Sequence, residues 1–157
     1  NGIQSIDLIG RKLALDGGSA VRAFLDEVAG TAAQCSSGDP VLASIGGELA
    51  KVHVACSEAT AWLQAAMRSS PYEALPGSQP YLQMMGLLAG GFYLARGALE
   101  ARRLMAQAGQ DEAFLATRIA VAQFFAEQLM PRAVGLLGPV TRGGGGPFQL
   151  GAPEIGL

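Results

Sequence analysis

His53, Cys35 and Cys56 are the residues of this chain whose types most readily do chemistry. A histidine beside a thiol can act as base to a nucleophile. Cys56 follows His53 by three residues, about one helical turn, which is also ordinary adjacency on a helix surface. A di-metal site in a helical bundle needs several inward carboxylates and Glu-x-x-His pairs. The single histidine has Glu48 five residues before it and Glu58 five residues after, so that pair is missing. His53 reads instead as a rim or interhelical hydrogen-bonding residue. Cys35 and Cys56 lack metal or redox spacing and read as two free thiols in a reducing compartment.

Arginine offers a second kind of chemistry. Arg96, Arg102 and Arg103, with Arg118 and Arg132, could hold an acidic ligand such as a nucleotide phosphate. The competing expectation is a solvated face with ion pairs to Glu100, Asp111 or Glu127. The glycine run Arg142-Gly-Gly-Gly-Gly-Pro147 is no phosphate loop, because no lysine and hydroxyl residue follow in order.

These residues must be positioned by helices. Half of the 157 residues are hydrophobic but only 6% are aromatic, so alanine and leucine supply most of the core, as suits closely packed helices. Only 15% are charged, which leaves a bland surface of the kind a partner or further chain covers. The net charge is −2, with no basic stripe, so nucleic acid is not an expected partner. The apolar run Met84–Ala95 is too short to span a membrane. The expected location is cytoplasmic.

A first helix covers about 1–12, with Ile3, Ile6, Leu8, Ile9 and Leu13 near helical spacing. Asp16-Gly17-Gly18 breaks the chain. A second helix runs from Ser19 to about Gln34, capped by Gly18 or Ser19, with Val21, Phe24, Leu25 and Val28 inward. Cys35–Asp39 is a loop. Asp39 caps the third helix and Pro40 opens it. Its seam Leu42, Ile45, Leu49, Val52, Cys56, Ala59, Leu63 and Met67 predicts a helix roughly 42 Å long. Pro71–Ser78 reads as a loop. Pro80 opens a fourth helix to about Ala108, with Leu82, Met85, Leu88, Phe92, Leu99 and Met105 inward. Gly86, Gly90 and Gly91 would admit a close neighbour, and Gly109 ends the helix. Asp111 caps a fifth, with Phe114, Arg118, Val121, Phe125 and Leu129 on one stripe and Leu115, Ala122 and Ala126 widening it. Pro131 should kink or divide it. After Pro139 the chain turns irregular, 142–147 is a hinge, and Phe148 and Leu150 dock weakly. The fold expected is all-α: an antiparallel up-down-up-down four-helix bundle with an N-terminal helix remnant and an irregular C-terminal tail.

The opening Asn1-Gly-Ile-Gln-Ser-Ile-Asp-Leu-Ile-Gly-Arg-Lys-Leu13 resembles the junction after the Tyr-Glu-Gly-Thr motif of flavin-dependent acyl-CoA dehydrogenases that carry an appended C-terminal helical domain. The methylmercaptopropionyl-CoA dehydrogenase type is one example. Phe92-Tyr-Leu-Ala-Arg96 and Ala120-Val-Ala-Gln-Phe-Phe-Ala-Glu-Gln-Leu-Met-Pro-Arg132 resemble that appended domain. The resemblance implies that 1–16 end the preceding dehydrogenase helical domain, 17–140 form the accessory domain, and 141–157 are a flexible tail. It implies a glutamate base upstream of Asn1 and FAD held by the parent, with Asn1 and Gly2 at the cofactor-adjacent positions and no catalytic residue in this segment. Gly2 has no side chain, so only a backbone contact could survive there. The implied partners are the catalytic body, its acyl-CoA substrate and further copies of the same subunit. The alternative is a stand-alone helical interaction module that grips a partner helix with Met84, Met85 and Met105.

Overall fold

The computed structural model describes residues 2–36 and 38–142, and these are all-α, with no strand among them. Helix α1 (Gly2–Gly10) leads through a 3-10 segment (Lys12–Gly18) into α2 (Ser19–Cys35) and α3 (Pro40–Ser69). The short α4 (Pro71–Ala74) and a 3-10 turn (Leu75–Gly77) precede α5 (Ser78–Met105). Then follow α6 (Glu112–Gln128), α7 (Pro131–Gly135) and α8 (Leu137–Thr141). Asn1, Ser37 and 143–157, with the expected hinge, Phe148 and Leu150, lie outside the described residues.

Local chemistry explains the boundaries. The Asp39 carboxylate accepts the free N–H groups of Val41 and Leu42 at 2.8 and 3.0 Å, and Pro40 sits where no N–H is needed. Asp111 does the same for Phe114 at 3.0 Å. Gly109 is left-handed (φ +81°) past the end of α5. Pro131 divides the fifth long pattern, since α6 ends at Gln128 and the proline opens α7.

Helix α2 starts at Ser19 as expected, with Gly18 rather than Ser19 as its cap. Gly18 occupies the cap position at φ +81° and no side chain caps the helix; Ser19 is already helical. Asp16, Gly17 and Gly18 are three consecutive left-handed residues that turn the chain between α1 and α2. A Cβ on Gly18 would lie 2.6 Å from Gln64 Nε2, and that amide donates to the Leu13 carbonyl at 3.1 Å. The Asp-Gly-Gly break is therefore a corner fastened to α3.

One apolar cluster runs through the described residues, from Ile9 and Leu13 to Val140. The α3 seam is buried from Leu42 to Leu63, with Met67 at its margin. Helix α5 lies against α1, α2, α3 and α6. Gly46 lets α2 and α3 touch, since a Cβ there would meet Cys35 Cβ at 2.7 Å and the Ala32 carbonyl at 2.8 Å. Gly90 and Gly91 admit Phe125 and Met130, whereas Gly86 faces open space.

Four expectations need correction. Pro71–Ser78 is helical, because Pro71 and Pro76 each stand at the first turn of a new segment, where proline starts helices. The buried stripe of α5 is Tyr81, Met84, Leu88, Phe92, Ala95, Ala98 and Ala101; Leu82, Met85, Leu99 and Met105 are half-buried. Small alanines carry that seam because neighbours close on α5 from several sides. The chain stays helical through Pro139 in α8, which buries Val140 against Gly77. In α6 the core takes Leu115, Ile119, Ala122 and Ala126, while Phe114 and Val121 turn outward.

Candidate functional site

The residues with chemical potential separate in space. His53 is half-buried on α3, and its Nε2 lies 3.4 Å from the Ser57 hydroxyl of the same helix, so its partner is intrahelical rather than interhelical. Cys56 and Cys35 are free and fully buried. Burial pushes the Cys56 thiol up to about 12 and raises that of Cys35. A thiol held protonated inside a core is a small apolar side chain, not a nucleophile. Among the described residues no three His, Cys, Asp or Glu side chains gather in a metal-binding group.

Of the arginines expected together, Arg96 and Arg103 border one cleft with Leu99 and Glu100, and the others are dispersed. Arg102 pairs with Asp39 at 2.8 Å, joining the C-terminal end of α5 to the start of α3. Arg103 bonds Glu100 through Nε at 2.8 Å. Arg96 stacks over the Phe92 ring, 5.4 Å from its centre. Arg118 lies near Gly97, and Arg132 borders a cleft with Gln83 and Leu136. Of the acidic partners expected for them, only Glu100 takes an arginine. Asp111 caps α6, and Glu127 accepts from Ser44 and Gln123, each at 2.9 Å. Met84 is fully buried, and Met85 and Met105 pack against the core, so they fill space rather than line an open groove.

Asn1 lies outside the described residues. Gly2 opens α1, is exposed, and its carbonyl accepts the Ser5 hydroxyl at 2.9 Å. A Cβ built there meets nothing within 4 Å. Ser5 is buried, and its hydroxyl takes a hydrogen bond from Ser78 at 3.2 Å, which fastens α1 to the start of α5.

Two features went unread in the sequence. One is a cleft of about 510 Å³ at the corner of α1, α2 and α3, bordered by Arg22 and Arg68. The other is the outward face of α6. Phe114, Val121 and Phe124 are 58%, 50% and 62% exposed, and Thr117 lies between them. Their spacing of seven and three residues puts them on one face, with the exposed Arg118 at its edge. The sequence signal was weak, because apolar and polar residues are mixed around α6 with no single inward stripe.

No described helix is long and apolar enough to cross a membrane. The chain is 37% identical over 128 residues to 3-methylmercaptopropionyl-CoA dehydrogenase of Ruegeria pomeroyi. The alignment takes in 82% of this chain but 22% of that relative's length. A family model described as acetyl-CoA dehydrogenase C-terminal like matches residues 24–150, which takes in α3, α5 and α6 whole and all but the first turn of α2. An all-helical core matched over most of its length identifies this chain as a member of the acetyl-CoA dehydrogenase C-terminal like family.

Proposed function

We propose that the chain is the accessory helical domain of a longer FAD-dependent acyl-CoA dehydrogenase, packed on the catalytic body and supporting substrate access or subunit assembly. The observation that carries this reading is the family match over residues 24–150. In the parent, a base upstream of Asn1 takes the proton alpha to the thioester carbonyl while FAD accepts the hydride. This segment supplies no catalytic residue. Residues 1–16 close the preceding helical domain, with Asn1 and Gly2 beside the cofactor; 17–140 form the accessory domain and 141–157 its tail. The parent is a cytoplasmic homo-oligomer.

The exposed apolar side chains of Phe114, Val121 and Phe124 support a covering body, since apolar surface of that kind marks an interface. The up-down-up-down order of the four long helices belongs to the same proposal. Thr60 bonded to Tyr81, together with Asp39 bonded to Arg102, supports it for α3 and α5.

The test is direct. Purified alone, the chain should carry no flavin and oxidise no acyl-CoA. Stoichiometric flavin on the isolated chain would contradict the proposal. The alternative, a stand-alone interaction module, would grip a partner helix through Met84, Met85 and Met105, which pack in or against the core. The reading frame upstream of Asn1 separates the two: continuation through Tyr-Glu-Gly-Thr and a dehydrogenase body removes the alternative.

A further inference from the structure

We propose that the cleft at the α1–α2–α3 corner binds an amphiphilic organic anion. A carboxylate or phosphate head would sit between Arg22 and Arg68, with its apolar part against Ile9, Leu13 and Met67. This inference is independent of the accessory-domain reading.

The cleft measures about 510 Å³, within the range of roughly 300–1,000 Å³ usual for ligand sites. Its two cations, like Arg96, Arg118, Arg132 and Arg142, are in no ion pair among the described residues. Arg11, Lys51, Arg102 and Arg103 each meet a carboxylate. Arg22 and Arg68 have no carboxylate partner among the described residues, and no Asp or Glu borders the cleft. Two guanidinium groups beside an apolar wall favour an anion, because the planar fork suits carboxylate and phosphate oxygens.

The backbone holds the site open. Arg22 Nη1 donates to the Gly17 carbonyl at 3.0 Å, which fixes its guanidinium at the corner. At Gly18 a Cβ would crowd Gln64 Nε2 at 2.6 Å and Arg22 Nη1 at 3.0 Å, so glycine is what lets both polar groups converge. Side chains at Gly10 and Gly17 would extend into open space, so neither glycine is forced by packing and the mouth stays clear.

Titration calorimetry of the full 157-residue chain tests this with octanoate, octyl phosphate, octanol and inorganic phosphate. At least one tailed anion should bind, and octanol and inorganic phosphate should each bind roughly tenfold or more weakly. The preferred head group tells carboxylate from phosphate. Arg68→Ala should weaken binding about tenfold, and Arg22→Lys should retain more affinity than Arg22→Ala. Arg68 is exposed, and circular dichroism of its variant confirms an intact fold. Failure of both tailed anions to bind, equal binding of octanol, or unchanged affinity in Arg68→Ala would overturn the proposal.

Discussion

Thr60 and Tyr81 show how single hydroxyls join the two longest helices. Thr60 donates to the Cys56 carbonyl at 2.7 Å, so its oxygen must accept the Tyr81 O–H, also at 2.7 Å. Burial raises the Tyr81 phenol above its usual range and keeps it a donor. Thr60→Val would strand that hydroxyl in the core, at a cost of about 1–3 kcal/mol. Adding Tyr81→Phe removes the stranded group, so the double variant should recover most of that loss in urea denaturation. Additive losses would mean the two groups act separately. Neither residue was legible as a partner in the sequence. Thr60 lies beside the apolar seam, and Tyr81 stands one position off the inward stripe expected for its helix. Their meeting depends on the register of α3 against α5, which no local pattern encodes. Cys35 and Cys56 were legible as free thiols because spacing alone excluded the usual metal and redox patterns.

Helix ends were the most readable elements, since a cap acts within a few residues. Asp39 is the clearest case. Its carboxyl is held below its ordinary value by the Leu42 N–H first, then by the Val41 N–H and the Arg102 charge. A carboxyl depressed in the folded state contributes stability that is full above its unfolded value, about 4. That contribution is lost as pH falls through the lower folded value. Asp39→Ala should lower the melting midpoint by about 2–4 °C at neutral pH. Asp39→Asn keeps the acceptor without the charge. Its midpoint should fall less than that of the unaltered chain between about pH 5 and about pH 2.

Gly46 tests the α2–α3 contact. Alanine is the better helix former, yet its Cβ would press on Cys35 Cβ and the Ala32 carbonyl, neither of them a flexible tip. Gly46→Ala should destabilise by about 1–3 kcal/mol in chemical denaturation. What stayed unread at this scale was which stripe faces inward on helices apolar on several sides. The α5 seam runs through small alanines that size alone would rank behind leucine and methionine. On α6 the aromatic stripe turned outward although it is the bulkier one.

For the whole molecule, the all-α class followed from composition and helical periodicity, and family membership was legible in two helical segments, 92–96 and 120–132, that lie inside the matched residues 24–150. The corner cleft was not, because Arg22 and Arg68 are 46 positions apart and meet only when α2 packs on α3. The outward α6 face ties the proposed assembly to specific side chains. Phe114→Ser with Phe124→Ser should change the melting midpoint of the isolated chain little, since both rings are mostly exposed. The same pair should weaken capture of a separately produced catalytic body roughly tenfold or more. Undiminished capture would assign the face to something else. The most direct measurement is the intact mass and flavin content of the native gene product that contains this sequence. A polypeptide several times longer than this chain, carrying stoichiometric FAD, is the expected result. A flavin-free product of about this length would contradict the proposed role.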